Sequence, residues 1–258
     1  MAHPRHDEPN EDTILEGRNP IAEALKAGRS INRVFVLESV RGKRNDPLQQ
    51  LADQCREHGA IVDYVGRKTL NQMATSHGHQ GIIAHVAPRD YADLADILTE
   101  HPNGFLLLLD HIQDAHNLGS ILRIADGAGV DAVVIPKRRS VPLNATVAKA
   151  SAGAVEHVPI CRVNNLTQTI LDLKQRGYWI YGTAADGGMN YDDAQYDGPI
   201  ALIVGNEGRG MGQKIEEHCD FLLTIPLHGE VNSLNAAVAC GIVTFEAAKK
   251  RRQRGELS

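Results

Sequence analysis

The segment 200–212, IALIVGNEGRGMG, constrains the possible folds more than any other part of the chain. An apolar, β-branched run ends abruptly in a glycine-rich turn that carries one carboxylate, Glu207, and one guanidinium, Arg209. Buried strands of α/β proteins are typically apolar in this way, and ligands bind at the loops that follow such strands. The pattern alone also fits a plain glycine-rich connection.

Two further segments repeat this order of apolar strand, polar loop and helix start. Residues 105–123 read FLLLLDHIQDAHNLGSILR, and residues 221–240 read FLLTIPLHGEVNSLNAAVAC. The carboxyl ends of parallel strands meet at one edge of a sheet, so we expect the polar side chains of the three loops to form one composite site. The candidate catalytic residues are Asn117, Arg123, Glu207, Ser233 and Asn235.

Alternating strand and helix patterns predict an α/β fold with two domains. We expect a disordered tail at 1–13, a small α/β domain at 14–88, a linker at 89–104 and a second domain at 105–254. The small domain contains two helix starts marked by a cap and a proline, Asn19-Pro20 and Asp46-Pro47. Its strands are predicted at 33–38, 60–65 and 81–87, with a short helix near 67–75.

The second domain alternates strands with helices, which predicts a mainly parallel sheet covered on both faces. The predicted strands are 105–110, 132–136, 157–160, 178–184, 200–205 and 221–226. The predicted helices are 117–128, 144–151, 165–177, 208–218 and 233–252.

Composition excludes several classes of protein. No apolar run approaches the roughly 20 residues of a membrane-spanning helix. Four scattered cysteines without a C-x-x-C pair argue against a zinc ribbon or a disulfide framework and suit a reducing cytoplasm. His77 and His79 have no partner ligands at useful spacing, so no metal is expected. The loops match neither the dinucleotide-binding fingerprint nor a Walker A loop.

The net charge of −5 does not by itself predict RNA binding. Short basic clusters on a neutral surface can nevertheless contact a few phosphates. The clusters are Arg41, Lys43 and Arg44; Lys137, Arg138 and Arg139; and Lys249 to Arg252. The last cluster is more simply explained as cations at the carboxyl end of a helix, where they complement its dipole.

The spacing of Asn117, Gly119 and Arg123 resembles the first motif of the SpoU (TrmH-type) RNA ribose 2′-O-methyltransferases. VGNEGRGM resembles their second motif, and IPLHGEVNSLNAAVA resembles their third. Residues 14–88 also resemble the amino-terminal RNA-binding domain of bacterial 23S rRNA guanosine 2′-O-methyltransferases of the RlmB type. Nearly the whole chain is therefore covered by the resemblance.

The resemblance implies a SPOUT-type, trefoil-knotted catalytic domain and an amino-terminal domain that is ribosomal-protein-like (L30e-like). It implies S-adenosyl-L-methionine as cofactor, held by Gly205, Ile225 and Leu234. It also implies a homodimer formed through the catalytic domain. In the amino-terminal domain, the RNA phosphate contacts are expected to be Arg18, Arg41, Lys43 and Arg44.

Several roles stay open at the level of sequence. The family proposal makes Arg123 the general base, yet an ordinary arginine has a pKa above about 12, so neutralising it at pH 7 costs roughly 7 kcal/mol. Arg123 can instead orient the target phosphate. Glu207 either orients Asn117 or Arg123 or faces solvent. Asn232 or Ser233 is a natural cap for the last helix, which leaves Asn235 as the better functional candidate.

The sequence thus predicts a cytoplasmic enzyme that uses S-adenosylmethionine to methylate a guanosine ribose in 23S ribosomal RNA. One alternative is the same chemistry on transfer RNA, and the added amino-terminal domain favours ribosomal RNA. The other alternative is a non-catalytic RNA-binding or ribosome-assembly protein.

Overall fold

The computed structural model describes residues 13–75, 78–208 and 210–256. Described residues up to Asp90, together with Leu143–Glu156, form the first of two compact units, and the remainder from Tyr91 onward forms the second. The tail predicted at 1–13 lies outside the described residues except for Thr13, which belongs to a strand. No helix in the described ranges is both long and apolar enough to cross a membrane.

The first unit is built on a four-stranded mixed sheet of order β1-β4-β2-β3. Strands β2 and β3 pair in parallel, whereas β4 pairs antiparallel with both β1 and β2. Its elements up to residue 90 are β1 (Thr13–Glu16), α1 (Arg18–Lys26), β2 (Ile31–Leu37), α2 (Pro47–Glu57), β3 (Ile61–Val65), α3 (Arg67–Met73) and β4 (Ile82–Val86).

The remaining elements follow in alternation. They are α4 (Leu94–Glu100), β5 (Phe105–Leu109), α5 (Ala115–Ala128), β6 (Ala132–Pro136), α6 (Ala145–Ala150), β7 (Ile160–Val163), α7 (Leu166–Gln175), β8 (Trp179–Thr183), β9 (Met189–Asn190), β10 (Ile200–Val204), α8 (Gln213–Glu216), β11 (Phe221–Thr224) and α9 (Ala236–Gln253).

The segment that contains α6 belongs to the first unit, although the sequence placed it wholly within the domain at 105–254. Helix α6 packs against β1 and α1. At the end of the segment, the buried carboxylate of Glu156 lies 2.6 Å from an Arg29 guanidinium nitrogen and 3.2 Å from one of Arg89. The first unit is therefore assembled from two separate stretches of chain.

The second unit contains a sheet of order β7-β6-β5-β10-β8-β11-β9, in which every neighbouring pair is parallel. The sequences of β5 (FLLLL) and β10 (IALIV) are buried along their whole length, as expected for central strands covered on both faces. The chain fills the sheet outward from β5 to β7, then continues on the other side of β5. The strand order therefore reverses between β5 and β10, where ligands of open α/β sheets bind.

The predicted parallel α/β sheet is confirmed, with two local differences. The strand predicted at 157–160 occurs at Ile160–Val163. The helix predicted at 208–218 is confined to Gln213–Glu216, because Asn206 and Gly210 pair through their backbones (3.0 and 2.8 Å) and close a tight hairpin instead. Helix α9 packs along α5 on one side of the sheet.

Candidate active site

A cavity of about 550 Å³ opens at the carboxyl edge of the second unit's sheet. It is lined by the segments that follow β8, β10 and β11 and by the start of α9. All three predicted cofactor contacts, Gly205, Ile225 and Leu234, lie in its lining. Among the described lining residues the charged side chains are carboxylates, namely Asp186, Glu207 and Glu216. A lining that combines apolar side chains with carboxylates fits a partly apolar, cationic ligand.

The first glycine of the glycine-rich loop, Gly205, is required by the fold of the loop itself, because the hairpin leaves no space for a side chain there. A Cβ atom on Gly205 would lie 2.3 Å from the backbone carbon of Gly210 and 2.4 Å from the backbone nitrogen of Met211. Gly210 itself adopts a φ of +64°, which favours glycine. The resemblance implied that Gly205 contacts the cofactor, and the structure adds that the returning arm of the hairpin already needs the space beside this residue.

Asn235 connects two other predicted catalytic residues, Asn117 and Glu207. Its Nδ2 donates to Oδ1 of Asn117 (3.0 Å) and to Oε2 of Glu207 (3.1 Å). Its Oδ1 accepts from the backbone N–H groups of Ala237 (3.0 Å) and Val238 (3.3 Å), so Asn235 is the cap of α9. The expectation that Asn232 or Ser233 provides the cap is wrong.

The cap also fixes which way the Asn235 amide points. Because its oxygen must face the helix N–H groups, its NH₂ group is directed at Asn117 and Glu207. Asn117 sits in the first turn of α5, which Asp114 caps through the Asn117 N–H (2.8 Å). The Oδ1 of Asn117 accepts from Asn235, so its own NH₂ group remains available, without a partner in the described part of the chain.

The other two predicted catalytic residues are not part of this network. Ser233 is exposed and lines the cavity. Arg123 is exposed on α5, and its guanidinium makes no hydrogen bond or ion pair within the described residues. The buried side of α5 includes Leu118, Ile121, Leu122 and Ala125, and Arg123 is not part of it. The expected contact of Glu207 with Asn117 is indirect, through Asn235.

Sequence reasoning missed a buried carboxylate that ties two loops together. Asp110 follows β5 and is only 3% exposed. Its Oδ2 accepts from the backbone N–H of Gly212 (2.8 Å), at the end of the glycine-rich loop. The backbone oxygen of His111 accepts from Nδ2 of Asn206 (3.2 Å). An aspartate directly after an apolar strand was the available signal. The sequence analysis also passed over two cavity residues at the end of β8, namely Thr183, its last residue, and Asp186, which follows it.

The predicted phosphate contacts of the first unit are all exposed. Arg18 begins α1, and Arg41, Lys43 and Arg44 lie on the loop before α2. The Arg41 guanidinium lies 3.3 Å from Glu38 and 5.2 Å from the centre of the Tyr64 ring. Part of its charge is therefore already balanced within the unit.

Metal and thiol chemistry find little support in the described residues. No group of three or more potential metal-ligating side chains occurs among them. Both ring nitrogens of His79 are engaged, with Asn71 (2.9 Å) and with the Gly81 N–H (3.0 Å), and His77 lies outside the described residues. Burial raises the pKa of Cys219 and of Cys240 to about 12, so neither is a thiolate nucleophile near neutral pH.

Comparison with known proteins connects this site to RNA methylation. The model of the SpoU rRNA Methylase family matches residues 104–245, and the model described as RNA 2′-O ribose methyltransferase substrate binding matches residues 14–92. A Staphylococcus haemolyticus protein with the provisional name TrmH family tRNA/rRNA methyltransferase is 43% identical over 95% of this chain and 99% of its own length.

Two solved structures extend the comparison. An rRNA methyltransferase from Sinorhizobium meliloti, solved with AdoMet bound, is 27% identical and superposes with a TM-score of 0.77 over 94% of this chain and 88% of its own. A TrmH/SpoU tRNA-modifying enzyme from A. aeolicus is 28% identical, with a TM-score of 0.55 over 63% of this chain and 86% of its own.

Proposed function

The chain belongs to the SpoU rRNA methylase family, and from that premise we propose that it methylates the ribose 2′-hydroxyl of a guanosine in 23S ribosomal RNA. The observation that carries the proposal is the position of Asn235. This residue connects Asn117 on α5 to Glu207 on the glycine-rich loop and at the same time begins the helix that borders the cavity.

The cavity takes S-adenosylmethionine in this proposal. The bound cofactor supplies an electrophilic methyl group on a sulfonium cation. The backbone of the loop from Gly205 and the side chains of Ile225 and Leu234 contact it, and the carboxylates of Glu207 and Asp186 balance its positive charge. The cavity offers carboxylates, amide side chains, backbone polar groups and apolar side chains, which fit this ligand without a metal ion.

The substrate side is assigned to Asn117, Ser233 and Arg123. The free NH₂ group of Asn117 and the exposed hydroxyl of Ser233 orient the ribose. Arg123 lies six residues beyond Asn117 on the same helix, about 9 Å along its axis, where its unpaired charge suits a neighbouring phosphate. Positioning of this kind contributes several kcal/mol to a bimolecular transfer.

Ribosomal RNA is preferred to transfer RNA because of the first unit. The match to a substrate-binding model at 14–92 adds an RNA-binding module, with Arg18 and the Arg41/Lys43/Arg44 loop as its phosphate contacts. The solved structure named for rRNA aligns with nearly the whole chain, whereas the one named for tRNA aligns with a much smaller share. The cytoplasmic location, the trefoil knot and the L30e-like fold of the first unit belong to the same proposal.

The test measures methyl transfer from labelled S-adenosylmethionine to RNA isolated from a strain that lacks the gene for this protein. The 23S rRNA and the bulk tRNA of that strain are offered as substrates in parallel. We expect label in 23S rRNA, and mapping of ribose methylation identifies a guanosine. Label in tRNA alone would favour the tRNA alternative. Cofactor binding by calorimetry without transfer to either RNA would favour the non-catalytic alternative.

We also propose a homodimer formed through α9. This helix presents Val238 (52% exposed) and Phe245 (43% exposed) on the same stripe as Gly241 and Ile242. Exposed apolar side chains in a row are typical of an interface between copies. Light scattering should report a dimer at micromolar concentration, and Phe245→Asp should give a folded monomer. A wild-type monomer with full activity would contradict the proposal.

A further inference from the structure

The loop that follows β6 carries three consecutive exposed cations, Lys137, Arg138 and Arg139. Strand β6 neighbours β5 in parallel, so this loop emerges at the same edge of the sheet as the cavity. The loop turns sharply, because Ser140 Oγ donates to the Pro136 carbonyl (2.5 Å) and Arg139 adopts a φ of +62°.

Arg139 contacts His111, and this contact determines the protonation of the imidazole. An Arg139 guanidinium nitrogen lies 3.0 Å from Nε2 of His111, and Nδ1 of His111 lies 2.5 Å from Oδ1 of Asp110. A guanidinium can only donate, so Nε2 must be the acceptor. The ring proton is therefore on Nδ1 and is donated to the carboxylate.

Asp110 anchors this series of contacts. Its second oxygen accepts from the Gly212 N–H, and its side chain is almost completely buried. One buried carboxylate thus holds both the end of the glycine-rich loop and the imidazole that faces Arg139. The loops after β5, β6 and β10 are joined through these contacts.

The contact with His111 does not neutralise the positive charge of Arg139. Its partner is a neutral imidazole, and Arg139 forms no ion pair with a carboxylate within the described residues. The guanidinium nitrogens that do not face His111 remain free to bind an anion. A guanidinium held by a neutral acceptor is oriented and still fully charged, as a phosphate contact requires.

We propose that Asp110 and His111 are positioning residues that hold Arg139 as a contact for a backbone phosphate of the RNA beside the cofactor cavity. The proposal rests on the proposed function only in taking the anion to be an RNA phosphate. It assigns to the second unit an RNA contact that is separate from Arg123 and from the basic loop of the first unit.

The test measures binding of a short fluorescent RNA hairpin over a series of KCl concentrations. Arg139→Ala should weaken binding about fivefold and flatten the salt dependence by up to about one unit of slope. His111 itself adopts a φ of +59°, which asparagine tolerates. Because asparagine has no atom in place of Nε2, His111→Asn should cause the same loss. His111→Gln restores an acceptor near that position and should bind RNA like the wild type.

Double variants separate positioning from independent effects. Adding His111→Asn to Arg139→Ala should cause no further loss, whereas adding it to the matched control Arg138→Ala should multiply the two losses. Cofactor affinity, measured by calorimetry, should stay within about twofold for Arg139→Ala, because Arg139 does not line the cavity.

Unchanged RNA binding by Arg139→Ala would overturn the proposal, and so would losses from His111→Asn and Arg139→Ala that multiply. If His111→Asn does not fold, His111→Gln and Arg139→Ala still decide the matter, since equal losses in both would contradict the assigned acceptor. A wild type that binds RNA and cofactor without methyl transfer would refute the proposed function alone, because the readout here is binding.

Discussion

At the scale of single residues, Asn235 performs two tasks that substitution can separate. Asn235→Ser keeps an oxygen that caps α9 but removes the NH₂ group that reaches Asn117 and Glu207. Asn235→Ala removes both. We expect methyl transfer to fall by about a hundredfold in both variants, equivalent to roughly 2.7 kcal/mol. The free energy of unfolding should fall by about 1 kcal/mol in Asn235→Ala alone.

Urea denaturation and initial rates at saturating cofactor measure the two effects in the same preparations. The serine variant is the matched control for helix stability. Normal turnover by Asn235→Ser would show that the junction with Asn117 and Glu207 is not needed for transfer and that Asn235 is only a cap.

Gly205 offers a second residue-scale prediction. In Gly205→Ala the new methyl group would overlap the backbone of Gly210 and Met211, so the hairpin that borders the cavity must open. We expect the affinity for S-adenosylmethionine to fall by at least about tenfold, or 1.4 kcal/mol. In the control Gly208→Ala the nearest atom is Oδ1 of Asn206 at 3.8 Å, an ordinary contact. Calorimetry should show little change for that variant, and equal losses in both would contradict this reading.

At the scale of elements, apolar runs and their alternation with helical segments were enough to predict most of the second unit. The runs at 105–110 and 200–205 could only be buried strands, and Asp114 caps α5 close to the predicted helix start. The strand Thr13–Glu16 was missed because four residues beside a polar tail show no alternation. The loop at 205–212 did not begin a helix because Asn206 and Gly210 pair through their backbones across a hairpin, which local propensity does not encode.

The site residues that directly follow an apolar strand could be predicted from the sequence. The contacts between side chains of different loops could not. Asn117, Glu207 and Asn235 each follow an apolar strand, and the structure joins them. The hydrogen bonds of Asn235 with Asn117 and Glu207 and the contact of His111 with Arg139 depend on distances between loops far apart in the chain. A single sequence carries no record of such distances.

The helical segment 143–156 yields a prediction at the element scale. Glu156 is 1% exposed at its side chain and faces the guanidinium groups of Arg29 and Arg89. Glu156→Gln removes the buried negative charge that faces these two partly buried guanidinium groups, and we expect the free energy of unfolding of the first unit to fall by about 3 kcal/mol. The exposed pair of Glu38 with Arg41 is the control, and Glu38→Gln should cost less than about 1 kcal/mol.

Urea denaturation followed by far-ultraviolet circular dichroism checks this pair of variants. Equal stability of Glu156→Gln and the wild type would show that the carboxylate does not anchor the segment to its unit.

At the scale of the whole molecule, cofactor binding is expected in the second unit alone, whereas RNA binding is expected to draw on the basic loop of the first unit as well as on Arg123 and Arg139 of the second. Every residue that lines the cavity belongs to the second unit, whereas the predicted phosphate contacts Arg41, Lys43 and Arg44 lie in the first. Deleting residues 1–88 is a poor test of this division. The deletion removes Arg29 and leaves the segment that ends at Glu156 without the strand and helix against which it packs.

Neutralisation of the basic loop tests the division with the fold intact. The combined substitution Arg41→Gln, Lys43→Gln and Arg44→Gln should leave cofactor affinity unchanged and weaken RNA binding. It should also flatten the salt dependence by about two units, because each lost phosphate contact removes up to one and Arg41 is already paired with Glu38. The control for loss of charge is Arg176→Gln. Arg176 is exposed and precedes β8, so it lies at the amino-terminal ends of the second unit's strands, away from the cavity. Equal salt slopes for the triple variant and the wild type would place the RNA contacts of this protein elsewhere.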